Sequence, residues 1–468
     1  MNNSTHTYAL ARTRLASSLA HARLALFASL FVALASVAAF AQQASSNMGL
    51  AFMSGTSGTF AIRGAHIFPV SAPDIENGTI VIANGKIAAV GANVSIPSGA
   101  HVIDGRGLSV YPGMIDLGTS MGLIEITEQG ATGWVDTAEV GELNPNSRAF
   151  YGINPHSSHI AVTRVNGVTT VLSSPQGGLI SGQSALINLL GATAPEMAID
   201  RAAALVVNYP RSGGGGGFGG FFAAQAPQGD AATQRERQVE QIRKLLRDAD
   251  AYGRAIDAAN ADAKLPRVER DVVLESLVPY VRSQKPVIFR ADRDLDIRAA
   301  VRFAEEMKLK PIILGGDDAW KTASFLKEHN VPVIITGTLD LPSREDDPYD
   351  TKYELASKLQ QAGVQFAIST GDIAAVVRDL PYHAGMAASF GLPKAEALKA
   401  VTLYPAQIIG AGNMLGSLDV GKIGNVVVTD GDLLEARTNI RYLFINGREV
   451  PLISKHTELY NQFKDRIK

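Results

Sequence analysis

The region from Val287 to Ile409 constrains the fold most, because strand-like and helix-like segments alternate there in strict succession. Val287–Arg290, Pro311–Leu314, Val331–Thr336 and Val364–Ser369 are short runs rich in β-branched residues. Between and after them lie longer segments with helical periodicity: Leu295–Met307, Asp317–His329, Tyr349–Gln361, Ile373–Phe390, Lys394–Leu403 and Pro405–Ile409. Parallel strands need a crossover, and a helix is the usual one. Strands alternating with helices therefore predict a parallel sheet covered by helices, and at this chain length a closed α/β barrel of the (β/α)8 type. Upstream, Thr169–Ser173, Leu179–Leu190 and Ala203–Asn208 supply more strands. The alternating Leu179–Leu190 run reads as a hairpin or extended arm.

Both flanks read as β structure. Ala61–Phe68, Thr79–Ala83, Lys86–Val90 and His101–Asp104 precede the barrel, with turn signals at Asn77-Gly78 and Asn84-Gly85. Asn425–Thr429 and Ile440–Ile445 follow it, ending at Asn446-Gly447. Chain termini commonly meet in space, so the two flanks are expected to form one composite β-sandwich domain. The expected division is a signal peptide 1–41, a leader 42–59, the first part of the composite domain 60–110, the barrel 111–412, the second part 413–455 and a tail 456–468. A Gly-rich, low-complexity insertion, 212–233, interrupts the barrel and reads either as a disordered surface segment or as a mobile lid tipped by Phe218, Phe221 and Phe222, and no Gly-Lys-Ser/Thr follows to make it a phosphate loop.

Residues 1–41 hold Arg12, Arg14 and Arg23, then an apolar run from Leu24 to Phe40, then Ala39-Phe40-Ala41. This is the pattern of a cleaved secretory signal, which leaves no stable membrane anchor. The absence of cysteine excludes disulfides, thiolate metal sites and Cys nucleophiles. Export with no cysteine places the protein in a bacterial periplasm or outside the cell. The 43 Lys and Arg against 45 Asp and Glu give no electrostatic reason to bind nucleic acid.

The stretch Pro112-Gly113-Met114-Ile115-Asp116-Leu117-Gly118-Thr119-Ser120 resembles the first barrel strand of the amidohydrolase superfamily, Pro-Gly-x-Ile-Asp-x-His-x-His. Gly78–Gly91, Gly167-Val168-Thr169-Thr170-Val171, Thr402 with Pro405-Ala406, Gly416-Ser417-Leu418 and Gly421-Lys422 extend the resemblance over most of the chain, closest to the imidazolonepropionase-like branch. The resemblance implies hydrolysis of C–N bonds other than peptide bonds, helped by a divalent metal such as zinc. In the family the metal polarises a carbonyl and lowers the pKa of bound water to about 7.

The metal-ligand positions that the resemblance implies are substituted. Gly118 and Ser120 stand where the first strand has its two His. Arg290 stands at the fifth-strand ligand position, and Gly315-Gly316 where the sixth strand has His-Gly. Asp372 keeps the eighth-strand Asp and is the residue assigned a catalytic role. Asp116, Gly118, Ser120, Arg290, Gly315, Gly316 and His383 are the residues expected to bind ligand at the former metal site. No metal ligand and no cofactor is assigned. Arg290, costly at an internal strand end unless paired, is expected to pair with Asp372 or Asp116.

Nine His occur in the sequence, and seven follow residue 41. Of these, His156, His159 and His383 lie in barrel segments near the strands' carboxyl ends. His156 and His159 read either as metal ligands on one helical turn or as a hydrogen-bonding pair. His383 reads either as a general base or as a packed imidazole. Glu125, Asp136, Glu139 and Glu142 read as a solvated acidic loop or a hard-cation site. Gly177-Gly178 and Ser181-Gly182-Gln183-Ser184 read as a ligand-binding arm or a tight turn. No Gly-x-Ser-x-Gly elbow surrounds Ser120 or Ser173. Two readings stay open: a hydrolase with an atypical site, or a catalytically inactive barrel that binds a small molecule, a peptide or a protein partner. A second copy of the chain, or an active paralogue, is the protein partner expected.

Overall fold

The computed structural model describes residues 55–125, 136–212 and 231–467. The expected signal peptide, most of the expected leader and the greater part of the Gly-rich insertion fall outside these. The first five strands are β1 (Phe60–Ile67), β2 (Ile75–Ala83), β3 (Lys86–Gly91), β4 (His101–Asp104) and β5 (Ser109–Pro112). The barrel strands are β6 (Met114–Thr119), β7 (Val168–Ser173), β8 (Ile180–Asn188), β9 (Ala198–Asn208), β10 (Val287–Ala291), β11 (Pro311–Gly315), β12 (Val333–Ile335) and β13 (Phe366–Ile368). The chain closes with β14 (Val426–Thr429), β15 (Ile440–Ile445) and β16 (Arg448–Glu449).

One sheet runs β16-β15-β14-β5-β1-β2-β3, with β4 also pairing with β1. Strands from both ends of the chain therefore share it. The pairing of β14 with β5 joins the halves, Val427 opposite Tyr111. Asn84-Gly85 and Asn446-Gly447 take the left-handed conformation that two-residue hairpins require. The two turns lie back to back, so a Cβ on Gly447 would sit 2.6 Å from the Gly85 backbone. Asn77-Gly78, expected as a turn, lies inside β2 instead. Asn77 has positive φ and the register against β1 shifts there, so the pair forms a bulge rather than a hairpin.

The apolar run around Pro112-Gly113 is not one barrel strand. Ser109–Pro112 belongs to the composite sheet and Met114–Thr119 to the barrel, with Gly113 between. A Cβ at Gly113 would meet the Thr169 side chain at 2.1 Å, so the crossing between sheets needs glycine. Asp116 consequently sits within β6 rather than at its end.

The barrel sheet runs β6 to β13 in chain order. The Leu179–Leu190 segment is neither an arm nor a separate hairpin. Ile180–Asn188 is a barrel strand, antiparallel to both β7 and β9. Every other pairing in the sheet is parallel. The wholly parallel expectation is thus corrected at one strand, while the eight-stranded α/β barrel with an added sheet domain stands. Asp317–His329 is also shorter than one helix, with a 3-10 turn at Ala319–Thr322 before Ala323–Glu328.

Side chains from all eight strands meet inside: Ile115 and Leu117, Leu172, Leu186, Ala204, Ile288, Ile312, Ile334 and Ala367 form one buried cluster. Ile408, Ile409 and Leu415, which follow the last barrel strand in sequence, join the same cluster. Alternate residues such as Leu205, Phe289, Ile313 and Phe366 point outward against the helices. Each such buried side chain contributes about 1.5–3 kcal/mol. A buried polar network ties barrel to sheet. Asn425 Nδ2 donates to Asn188 Oδ1 at 2.8 Å, and Asn188 Nδ2 donates to Asn446 Oδ1 at 2.6 Å. Among the described residues no helix is long and apolar enough to cross a membrane.

Candidate functional site

In α/β barrels chemistry sits where the strands end and their loops begin. Arg290, two residues beyond the inward-facing Ile288, is held at that level by β10. Its Nη1 donates to both oxygens of Asp372, at 2.8 and 2.7 Å. Arg290 is thus paired with Asp372 and not with Asp116. Its side chain is 21% exposed and that of Asp372 45%. Arg290 Nε and Nη2 are buried and have no hydrogen-bond partner. An unsatisfied buried donor costs about 1–3 kcal/mol, so the pair leaves most of the guanidinium's bonding capacity unused. Ser120 Oγ donates to the Asp372 carbonyl at 2.5 Å and fixes the backbone beneath the carboxylate.

Asp116, expected to bind ligand at the mouth, is fully buried and fully occupied. Its Oδ1 accepts from Ser369 Oγ at 2.5 Å and Gly118 N at 3.0 Å. Its Oδ2 accepts from Thr370 Oγ1 at 2.8 Å and Thr370 N at 3.0 Å. These bonds join the first barrel strand to the end of the last, so the carboxylate closes the barrel seam. The Ser369-Thr370 pair that makes this possible was missed in the sequence. Its one signal is a pair of hydroxyls directly after an apolar strand.

Gly118 has no room for a side chain, since a Cβ would lie 2.5 Å from Ser369 Oγ and 3.2 Å from Leu314 Cδ1. Gly118 and Ser120 therefore frame the seam rather than offer ligand atoms. Gly315 ends β11, and Asp292 Oδ1 lies where its Cβ would be, at 2.1 Å. Gly316 N donates to Ala291 O at 3.0 Å. Gly315 makes room for Asp292 and Gly316 for Val333, and neither presents a side-chain donor. His383 lies in the helix Leu380–Ser389 and is 5% exposed. Its Nδ1 is buried without a partner. Burial lowers its pKa, against the opposing pull of Asp116, Asp340 and Asp379. Thr119 Oγ1 and Thr338 Oγ1 are further buried hydroxyls without partners.

A charged cleft of about 290 Å³ adjoins β10 and β11, lined by Asp292, Asp317, Asp318, Arg211, Arg344 and Lys352 among others. Burial and the charge of Asp317 raise the Asp292 pKa, while Arg211, Lys352 and Arg290 oppose the shift. Burial works to raise Asp318 too, but hydrogen bonds from Arg344 and Lys321 outweigh it and lower its pKa. Aspartates directly after two barrel strands were the available sequence signal for this cleft.

The other candidates stay apart. A His159 ring nitrogen bonds the Glu125 carbonyl at 3.0 Å, and His156 N donates to Asn154 Oδ1 at 3.0 Å. The His159 ring is thus engaged by a backbone carbonyl. Asn208 Nδ2 donates to the carbonyls of Gly177 and Gly178 and to Ser181 Oγ, at 3.1, 2.7 and 3.1 Å, which makes that segment a tight turn. Ser173 Oγ donates to Met121 O at 2.8 Å. Part of the acidic loop, 126–135, lies outside the described residues. Among the described residues no three His, Asp or Glu side chains converge as a metal ion would need.

Residues 299–450 match the Amidohydrolase family. The chain is 26% identical over 404 residues to Amidohydrolase tasK of Hapsidospora irregularis, covering 80% of this chain. It spans 39% of the length of that relative. Among solved structures, an amidohydrolase from Thermotoga maritima superposes with a TM-score of 0.74 at 25% identity, covering 84% of this chain and 99% of its own. A molinate hydrolase superposes with a TM-score of 0.51 at 18% identity, covering 85% and 95%, a likeness of fold. With the barrel, the composite sheet and these matches together, the chain is similar to the amidohydrolases in fold and, over residues 299–450, carries the pattern of the Amidohydrolase family.

Proposed function

We propose that this protein uses an amidohydrolase barrel with a degenerate metal site to bind a small molecule or peptide-like ligand. The family and its hydrolase relatives support a hydrolase-type function, and with it a ligand class bearing C–N bonds other than peptide bonds. The observation that carries the metal-free reading is the Arg290–Asp372 pair. A divalent ion needs imidazole or carboxylate lone pairs. The carboxylate of Asp116 is already spent on four donors, Asp372 faces a guanidinium, and the His positions hold Gly118, Ser120, Arg290 and Gly315. These residues do not fit a metal ion, so no hydrolytic step is routed through one.

Export to the periplasm belongs to the same proposal, supported by the apolar, small-residue-ended leader and the lack of cysteine. The placement within the imidazolonepropionase-like branch is proposed on the motifs of the first strand and closing sheet. A second reading, hydrolysis of such C–N bonds at an atypical site, is favoured by Asp372, which stands half-exposed beyond β13 where a base would be needed. The test is a panel of amides, lactams and ureas, assayed for binding and for turnover with and without EDTA. Binding that EDTA leaves unchanged, with no turnover, is the expected result. Turnover abolished by EDTA would overturn the metal-free reading.

A further inference from the structure

We propose that Arg290 recognises a carboxylate on the ligand, and that Asp372 is an internal carboxylate which the ligand displaces. This rests on the reading of the mouth as a metal-free ligand site. The geometry of the resting pair carries it. A carboxylate and a guanidinium at their best make two parallel bonds from two nitrogens. Here both Asp372 oxygens share Nη1 alone, and Nε and Nη2 go without partners. The pair is therefore under-bonded on the Arg290 side.

The two partners also differ in freedom. Arg290 leaves a barrel strand and is mostly enclosed, whereas the Asp372 side chain is 45% exposed. Asp372 can turn to water at little cost, because its backbone is anchored independently by Ser120 Oγ. Arg290 loses a hydrogen-bonded charge partner if nothing replaces it. A ligand carboxylate that enters as Asp372 leaves would let the guanidinium turn and present two nitrogens in a fork. The exchange gives Arg290 one carboxylate partner in place of another, with the charge of Asp372 moved out into water, and raises the number of charge-assisted bonds to Arg290. A lysine could not do this, since its ammonium offers a point charge without a fork. Recognition of this kind selects ligands with a free carboxylate over their neutral amides.

The experiment uses the full protein, treated with EDTA, dialysed and checked for metal by mass spectrometry. N-acetylglycine and the uncharged N-acetylglycinamide are titrated by isothermal calorimetry and ligand-observed NMR into wild type, Asp372→Asn and Arg290→Lys. The acid is expected to bind wild type at least tenfold more tightly than the amide, about 1.4 kcal/mol. Asp372→Asn is expected to tighten the acid at least threefold and leave the amide unchanged. Arg290→Lys is expected to weaken the acid at least tenfold. Should Arg290→Lys fail to fold, Asp372→Asn decides alone, because a purely structural role for Asp372 predicts weaker binding rather than tighter. Equal affinity for acid and amide, no binding of either, or weaker acid binding by Asp372→Asn would overturn the proposal. Stoichiometric metal before chelation would overturn the metal-free reading instead, and the ratio of acid to amide in the stripped protein would still judge the role of Arg290.

Discussion

Ser369 Oγ donates to Asp116 Oδ1 at 2.5 Å across 253 positions of sequence, and with the Thr370 bonds it links the first and last barrel strands. The carboxylate of Asp116 is thereby spent on closing the barrel. Asp116→Ala should strand four donors at once and cost about 3–5 kcal/mol. Urea denaturation read by circular dichroism checks this. A loss below about 1 kcal/mol would mean that the seam is held by something else.

Gly118 predicts a second asymmetry between this chain and a metal-binding one. Restoring the family pattern with Gly118→His and Ser120→His should not restore metal binding, because Ser369 and Leu314 fill the space beside position 118. Gly118→Ala alone should cost about 1–3 kcal/mol by overpacking. Thermal unfolding of the single variant and zinc titration of the double variant read the two halves of this prediction.

The Arg290–Asp372 pair should respond unequally to loss of either member. Asp372→Ala leaves a largely enclosed cation and should cost about 1–3 kcal/mol, less than for a fully buried pair. Arg290→Met leaves a carboxylate that water already reaches and should change stability by less than about 1 kcal/mol. Equal losses in the two variants would show that exposure does not govern the pair.

His383 gives a pH dependence of known sign. Its folded pKa is depressed by burial, so the unfolded chain binds the proton more readily. Its contribution is fully present above the unfolded value of roughly 6.5 and is lost as pH falls through the lower folded value. Melting temperatures of wild type should therefore drop faster below pH 6.5 than those of His383→Gln. Parallel curves would remove His383 from the acid response.

Much of the architecture is legible in the sequence, and the lapses have physical causes. The βα series from Val287 onward places β10 to β13 because each apolar run is short, bounded and followed by a helical period. The direction of β8 is not legible, because a strand buried on both faces has the same pattern either way round. The split of the Ser109–Thr119 run is hidden for a similar reason, both halves being apolar and only Gly113 marking the crossing. At the site, Gly118, Ser120, Arg290 and Gly315, where the resemblance implies imidazoles, can be read from residue identity alone. The partners of Asp116 cannot, since Ser369 and Thr370 reach it only once the barrel closes. The cleft around Asp292 likewise needs the segments after four strands, β9 to β12, brought together.

The central proposal is that an ion pair stands where the resemblance to the amidohydrolases implies a metal. The most direct test is inductively coupled plasma mass spectrometry of the protein purified without chelators from medium containing zinc, manganese and iron. The account predicts less than about 0.1 metal ion per chain, in line with the absence of a fitting donor set. Close to one or two ions per chain, lost together with ligand binding on chelation, would contradict it.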